Sequence, residues 1–370
     1  MSEPRKNGAV PKKKRLLTGL RPTGKFHLGN YVGTFEKDLE LQNSGEFECF
    51  FLIADYHTLT TGYETAGAIG NDIREGALDF LAVGIDPSKS TLYLQSLIPE
   101  VSELFLLFTM LVSATRAQRI PTLKEQIRDL KLDSASLGLL NYPVLQAADI
   151  LMVRGEVVPV GKDQMSHIEL TREVARRFNQ LYSPVFPEPE YLEARFPVLP
   201  GTDGKPKMSK SIGNTIMLSD DAETVRKKVM AMYTDPTRLR ATDPGHVKGN
   251  PVFVYHDAFN LDAAEVADLK ARYTKGTVGD VEVKKKLIVA LNTFLDPIRD
   301  RRAEYERQPG LLEDILAEGS RRARAEAKET LELAREAMGL NYFPRARARV
   351  QEATGVGSDS TGATGGGKAD

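Results

Sequence analysis

The sequence predicts an α/β protein in two parts: a mostly parallel sheet covered on both faces over residues 16–218, then an all-helical segment over 219–342. From Leu16 to about Pro200, short apolar runs alternate with helix-period stretches, the signature of strands joined by crossover helices. After Ser219 the strand signal fades and only amphipathic helical patterns remain. Between the parts lies "GKPKMSKSIGN", residues 204–214, a lysine-rich loop fenced by Gly204 and Gly213.

Residues 1–15, "MSEPRKNGAVPKKKR", are polar with a basic cluster at Lys12–Arg15 and read as a disordered tail. A solvating role, RNA contact and a localisation signal all fit it. "RLLTGL" is a brief strand ending in a Gly-containing turn, and "ECFFLIADYHTL" a longer one. A helix is expected around Asn71–Val83, then "STLYLQS" as a third strand. "PEVSELFLLFTMLVSATRA" is apolar on nearly every side, so it is expected in the core or against a second copy of the chain. Leu104, Phe105, Leu106, Leu107, Phe108, Met110 and Leu111 cover too much of one helix for a monomer's surface, which predicts a homodimer.

"LLNYPVLQAADILMV" is expected to be a helix starting at Pro143, and "EVVPVGKDQMSHIELTREVARRFN" a strand, Gly161, then a helix opening at Asp163. "AETVRKKVMAMY", "AAEVADLKARY", "VEVKKKLIVALNTFLDPIRDRRAEYERQ" and "RRARAEAKETLELAREAMGL" are the amphipathic helices of the second part. Residues 343–370 become rich in Gly, Ser, Thr and Ala, too poor in apolar side chains to pack.

Composition narrows the function classes. Among 370 residues the formal net charge is −1, which argues against a chain coated by nucleic acid but leaves room for a local basic patch. The single cysteine, Cys49, sits in "ECFFLIAD" and reads as a buried thiol; no intrachain disulfide or four-cysteine zinc site is possible. Five scattered histidines show no metal-ligand spacing. No apolar run reaches about 18 residues, and the N-terminus lacks a hydrophobic signal, so a cytoplasmic, non-membrane setting is expected. The chain has twelve tyrosines and no tryptophan.

Three stretches carry candidate chemistry. In "LTGLRPTGKFHLGNYVGTF" a strand runs into a glycine-rich turn and a new helix; free N–H groups and the helix dipole there suit a phosphate. His27 and Asn30 share one face of that first turn; the alternative is a plain turn with a capping Asn. In the second stretch Tyr142, Gln146 and Asp149 are spaced four and three apart, so they line one helix face among apolar neighbours. Such a stripe either finds structural partners or lines a pocket for a ligand with a polar edge. In the third, Gly161 and Asp163 follow a strand, where a parallel sheet can offer a carboxylate to a ribose hydroxyl, or where Asp163 simply caps a helix.

Together these stretches resemble the class I aminoacyl-tRNA synthetases. "HLGN" stands in place of that class's His-Ile-Gly-His signature, and "KMSKS" is its second signature, in order and about 180 residues later. "NYPVLQAADIL", "VPVGKDQMSHIELTREVARRFN" and "LPGTDGKPKMSKS" resemble the tryptophanyl-tRNA synthetases of bacterial type, over roughly residues 16–340. The resemblance implies a Rossmann-type catalytic domain, a C-terminal helical domain contacting the tRNA anticodon, and a homodimer. It implies ATP with Mg²⁺ carried on its phosphates, and L-tryptophan and tRNA(Trp) as further substrates.

The implied ATP contacts are Arg21, Pro22, Thr23, Gly29, Asn30, Gly161, Lys162, Asp163, Val198, Lys207, Met208, Ser209, Lys210 and Ser211. His27, Asn30, Lys207 and Lys210 are expected to act on the reacting phosphates. For tryptophan, Asp149 is expected to accept from the indole N–H, which is donor only. Tyr142, Gln146, His57 and Gln164 would complete the polar walls, and Leu17, Val158 and Val160 would sandwich the ring.

Two departures stand out. Asn30 replaces the last His of the first signature. Some relatives hold an iron–sulfur cluster on four cysteines; the resemblance puts Asn250, Tyr273, Asp280 and Val283 at those positions, so no cluster or zinc is expected. Tyrosyl enzymes share the Tyr-Pro-x-x-Gln-x-x-Asp stripe, and spacing alone does not separate phenol from indole. A small-molecule nucleotidyltransferase and a duplicated synthetase fold reused for adenylation or regulation are the other rivals.

Overall fold

The computed structural model of the chain describes residues 13–129, 134–161, 164–193, 198–240 and 242–343. Five parallel strands form one sheet in the order β3-β2-β1-β4-β5. Strand β1 (Lys14–Leu20) is central, and its residues alternate between two cores, as the pleat requires. Leu16 packs into one core and Leu17 into the other. The same alternation runs through β2 (Phe47–Ile53), where Cys49 and Phe51 oppose Phe50 and Leu52, and β3 (Ser90–Leu94), where Leu92 opposes Tyr93.

After β1 a short helix α1 (Leu28–Asn30) passes through a π-turn, Tyr31–Phe35, into α2 (Glu36–Ser44). After β2 come α3 (Asp55–Gly62), a 3₁₀ stretch Tyr63–Ala68 and α4 (Ile69–Val83). Helices α2 and α4 bury their apolar sides on the Leu16 face. The chain then crosses over. Helices α5 (Glu100–Thr109), α6 (Ala114–Ala117), α7 (Pro121–Asp129) and α8 (Leu137–Met152) lead to β4 (Val157–Val160). Helix α9 (Met165–Leu181) leads on to β5 (Glu190–Glu193), and α5, α8 and α9 cover the Leu17 face. This is a doubly wound Rossmann-type sheet, with its switch point between β1 and β4.

The second part is helical: α10 (Ala222–Met230), α11 (Pro251–Phe259), α12 (Ala263–Thr274), α13 (Asp280–Glu306) and α14 (Leu311–Ala337). Helix α14 crosses back and lies along edge strand β3. A Cβ at Gly319 would sit 1.7 Å from the Leu92 carbonyl oxygen, so only glycine permits that approach. Ser320 Oγ next to it accepts from the Leu94 N–H at 3.2 Å, capping the exposed edge.

Several sequence expectations need correction. Lys14 and Arg15 belong to β1, not to a tail: Arg15 is buried and paired with Glu48 and Glu326. Residues 1–12 and 344–370 lie outside the described residues. The run "ECFFLIADYHTL" leaves the sheet at Ile53, and His57 is on α3, because Asp55 opens a helix and accepts from Tyr56 and Ser96. Helix α8 starts six residues before Pro143, where Ser136 Oγ accepts from Leu139 N; the proline is internal. In the apolar stretch of α5, Leu104, Leu107 and Phe108 are buried within the chain, while Leu106 and Met110 stay 55% and 64% exposed.

Candidate active site

The carboxyl ends of the strands converge on the β1/β4 switch point. His27, just past β1, is the N-cap of α1; its ring Nδ1 accepts from Asn30 N, and Asn30 Oδ1 accepts from His27 N at 3.0 Å. Asn30 therefore closes a reciprocal capping box that fixes the turn. Gly29 lies beside the His27 ring and Met208 Sδ. This segment is laced to the residues that follow the lysine loop: Leu28 N donates to Ile216 O, Leu218 N donates to Phe26 O (both 2.9 Å), and His27 and Met217 form an antiparallel bridge.

The loop is a built structure. Gly204 and Gly213 both take positive φ, the left-handed region that favours glycine. Buried Asn214 braces the interior, accepting from Ser209 N at 2.7 Å and donating to Asp203 Oδ1 and the Lys207 carbonyl. Met208 is buried, Ser209 is half-buried and hydrogen-bonded to Ser211, and Lys207 is exposed. Lys210 Nζ is docked across the first signature, donating to the Thr23 carbonyl at 2.8 Å and to Thr23 Oγ1, above the Phe26 ring. Burial lowers the Lys210 pKa, and Asp72 and Asp79 act against that shift.

The surroundings hold His27 neutral. Burial, then the cations Lys210 and Lys207, push its pKa down to about 4. Pro22 is buried, Arg21 and Gly161 are half-buried, and Val198 is exposed. Arg21 donates to Thr61 and to the Thr58 carbonyl on α3. Lys162 and Asp163 lie outside the described residues.

On the Leu17 face, the stripe of α8 meets α3. Asp149 is 1% exposed; its Oδ2 is 2.8 Å from His57 Nε2, and Gln95 Nε2 donates to both carboxylate oxygens at 2.8 Å. Burial raises the Asp149 pKa, while His57 and Gln95 pull it back towards ionisation. Tyr142 OH lies 2.8 Å from Thr122 Oγ1 and 3.3 Å from His167 Nε2. The His57 and Tyr142 rings approach edge-on at 6.3 Å. Leu17, Val158 and Val160 are on this same face, Gln146 is half-buried on α8, and Gln164 is the N-cap of α9. The arrangement offers a buried acceptor beside an apolar sheet surface on one face and a cation-bearing turn on the other.

The family description "tRNA synthetases class I (W and Y)" matches residues 11–296. The chain belongs to that family. A tryptophan–tRNA ligase of Treponema pallidum is 57% identical over 89% of this chain and 98% of its own length. A tryptophanyl-tRNA synthetase structure from Campylobacter jejuni, in complex with ADP and tryptophan, superposes with a TM-score of 0.78 at 35% identity, covering 88% of this chain and 99% of that one. A tyrosyl-tRNA synthetase of Archaeoglobus fulgidus bound to L-tyrosine matches at 25% identity and a TM-score of 0.62, over 78% of this chain and 90% of that one.

Within this class I site, sequence reasoning missed Gln95, Thr122, His167 and Asn214. Gln95 is the first residue after the third strand of a parallel sheet, at the carboxyl end where such sheets bind ligands. Asn214 sits beside Gly213 in the loop itself. Thr122 and His167 carried no comparable signal.

The depressed His27 titration makes a testable statement. An imidazole held neutral in the fold is more readily protonated in the unfolded chain, so its contribution weakens stability as pH falls from 6.5 towards 4. In a histidine NMR titration of the folded protein, the His27 ring resonances are expected to move only below about pH 5. A midpoint near 6.5 would mean that neither burial nor the two lysines depress it.

Proposed function

We propose that this chain activates L-tryptophan with ATP, giving tryptophanyl-adenylate and pyrophosphate, and transfers the tryptophan to tRNA(Trp). The observation that carries this reading is the docking of the KMSKS loop on the turn that leads into the first signature, Lys210 on Thr23, together with a buried Asp149 acceptor on the other face of the same sheet. In the first step a tryptophan carboxylate oxygen bonds to the α-phosphorus as the bond to pyrophosphate breaks. Negative charge grows on phosphate oxygens, and the protein's work is to position and neutralise.

Lys207 and Lys210 supply positive charge, and the turn at Gly29 and Asn30 meets the phosphates from the opposite side. Neutral His27 can share a proton or hydrogen bond without adding repulsion to the lysines. Arg21, Pro22, Thr23, Gly161, Lys162, Asp163, Val198, Met208, Ser209 and Ser211 are assigned to ATP contacts. Among the described residues, no group of three His, Cys, Asp or Glu side chains is placed to hold a metal ion. The Mg²⁺ expected with ATP is assigned to the phosphates that carry it.

Asp149 is assigned to the indole N–H, with His57 and Gln95 holding its carboxylate. Tyr142, Gln146 and Gln164 are assigned to the α-amino group, and Leu17, Val158 and Val160 to the ring faces. We assign the helical segment to the tRNA anticodon and the protein to the cytoplasm; no helix among the described residues is long and apolar enough to cross a membrane. No iron–sulfur cluster or zinc is assigned. Three of the positions cysteines occupy in some relatives form a polar patch: Tyr273 OH donates to Asp280 at 2.7 Å, Asn250 reaches Tyr273, and Arg238 stacks on the Tyr273 ring at 4.1 Å. The fourth, Val283, is buried.

A second copy of the chain is assigned to the face where Leu106 and Met110 are exposed and Phe105, Leu111 and Val112 half-buried. A cavity of about 500 Å³ adjoins it, lined by Met110, Leu111, Val112, Arg116 and Glu173. Sedimentation at micromolar concentration is expected to show a species of twice the 40.9 kDa chain mass. A monomer at that concentration rejects the dimer.

With no tryptophan in the chain, indole emission in a purified sample reports only ligand. Adding L-tryptophan is expected to give a saturable, shifted emission that equal L-tyrosine does not displace, since the phenol misplaces its hydroxyl and leaves cavity unfilled; about a hundredfold discrimination is expected. Equal competition by tyrosine would favour the tyrosyl assignment. Lys210→Ala is expected to slow tryptophan-dependent ATP–pyrophosphate exchange by about a hundredfold or more while leaving tryptophan affinity nearly unchanged. Unchanged turnover with weakened tryptophan binding would take Lys210 out of the phosphate chemistry.

A further inference from the structure

Helix α13 reaches the active site by two arms. Arg302, 5% exposed, pairs through Nη1 with Oδ1 of Asp79 on α4. Asp79 is fully buried, and its other oxygen, Oδ2, accepts from the Phe26 N–H at 2.6 Å. Phe26 immediately precedes His27, and its ring lies under the Lys210 ammonium. One helical turn earlier on α13, Arg299 Nε donates to the Asp220 carbonyl at 2.7 Å. Asp220 Oδ2 in turn accepts from Met217 N at 2.8 Å. Met217 is the bridge partner of His27.

Two arginines three positions apart on one helix face therefore hold two antiparallel segments, one that opens the first signature and one that follows directly on the lysine loop. Neither arm is an ordinary surface ion pair. Asp79 in an apolar helix face would be costly without both partners, so its geometry is set jointly by Arg302 and by the backbone entering the first signature. A tilt of the second half of α13, which follows the internal Pro297, changes both arms together.

We propose that Arg302–Asp79 and Arg299–Asp220 form a two-armed clasp that sets the spacing between the His27 turn and the lysine loop, making these four side chains positioning residues for adenylate formation. This rests on the reading that the two signatures carry that reaction. The clasp transmits the pose of α13 to the phosphate site, while the Asp149 pocket lies on the opposite face of the sheet. Its loss acts on turnover and spares the binding of tryptophan.

The test is tryptophan-dependent ATP–pyrophosphate exchange by the full chain, with active-site titration to separate slower molecules from fewer active ones. Asp79→Asn keeps an acceptor for the Phe26 N–H but turns an amide towards Arg302; Arg302→Gln removes the other partner. Each is expected to lower kcat per active site about tenfold, the loss expected for one charge-assisted hydrogen bond, with KM for tryptophan changed less than about threefold. The double variant is expected to be no slower than the worse single one, because the two residues act as a unit. Arg302→Lys, which keeps charge but not the fork, is expected to fall between wild type and Arg302→Gln.

If Asp79→Asn does not fold at the assay temperature by circular dichroism, Arg299→Gln on the other arm decides, with an expected loss in kcat of about threefold. Folded variants with wild-type kcat per active site overturn the clasp, as does an equal loss in tryptophan affinity. A wild-type chain that does not exchange with tryptophan overturns the functional reading and the clasp with it.

Discussion

The central position of β1 is the constraint on which everything else depends. Because β1 pairs on one side with β2 and on the other with β4, the chain must leave its carboxyl end in one direction and return to its other side from across the sheet. Helices α2 and α4, after β1 and β2, pack on the Leu16 face, while α3 and the connections after β3 and β4 pack on the Leu17 face. A crevice between diverging loops is the geometric result. The glycine turn, α3 with His57, Gln95 and the Gly161 turn each follow a strand that ends there.

The two faces then do different electrostatic work. On one, cations crowd a turn whose histidine is kept neutral, so positive charge is concentrated where a polyphosphate would lie. On the other, a single buried carboxylate is held by a histidine and an amide among apolar side chains. Asp149 alone would resist ionisation, and its partners lower the cost of keeping it charged. A site that must recognise a polar edge on an apolar ring needs such a compromise.

Much of the frame was legible because its signals are local. Short apolar runs announced β1 and β3, and a helical stripe put Tyr142, Gln146 and Asp149 on one face of α8. The failures have physical causes. His57 was read into a strand because apolar residues continue past the point where Asp55 turns the chain into a helix. Strand β5, "EYLE", is a polar edge strand without an apolar run, and α11 rests on an Asn250 cap in a short apolar segment. Gln95, Thr122 and Asp79 owe their roles to partners 54, 45 and 223 positions away, and no window along the chain shows such pairings.

The contact of α14 with β3 has a consequence for how the protein is made. Leu94 and Ser320 are 226 positions apart, so β3 leaves the ribosome long before the helix that caps its edge. Until then the growing chain presents an uncovered strand, the kind of edge that recruits other strands. A message broken or a ribosome stalled before α14 would release a sheet with one side open. Such fragments would be clients for holding chaperones and proteases, whereas a chain finished through Ser320 seals itself.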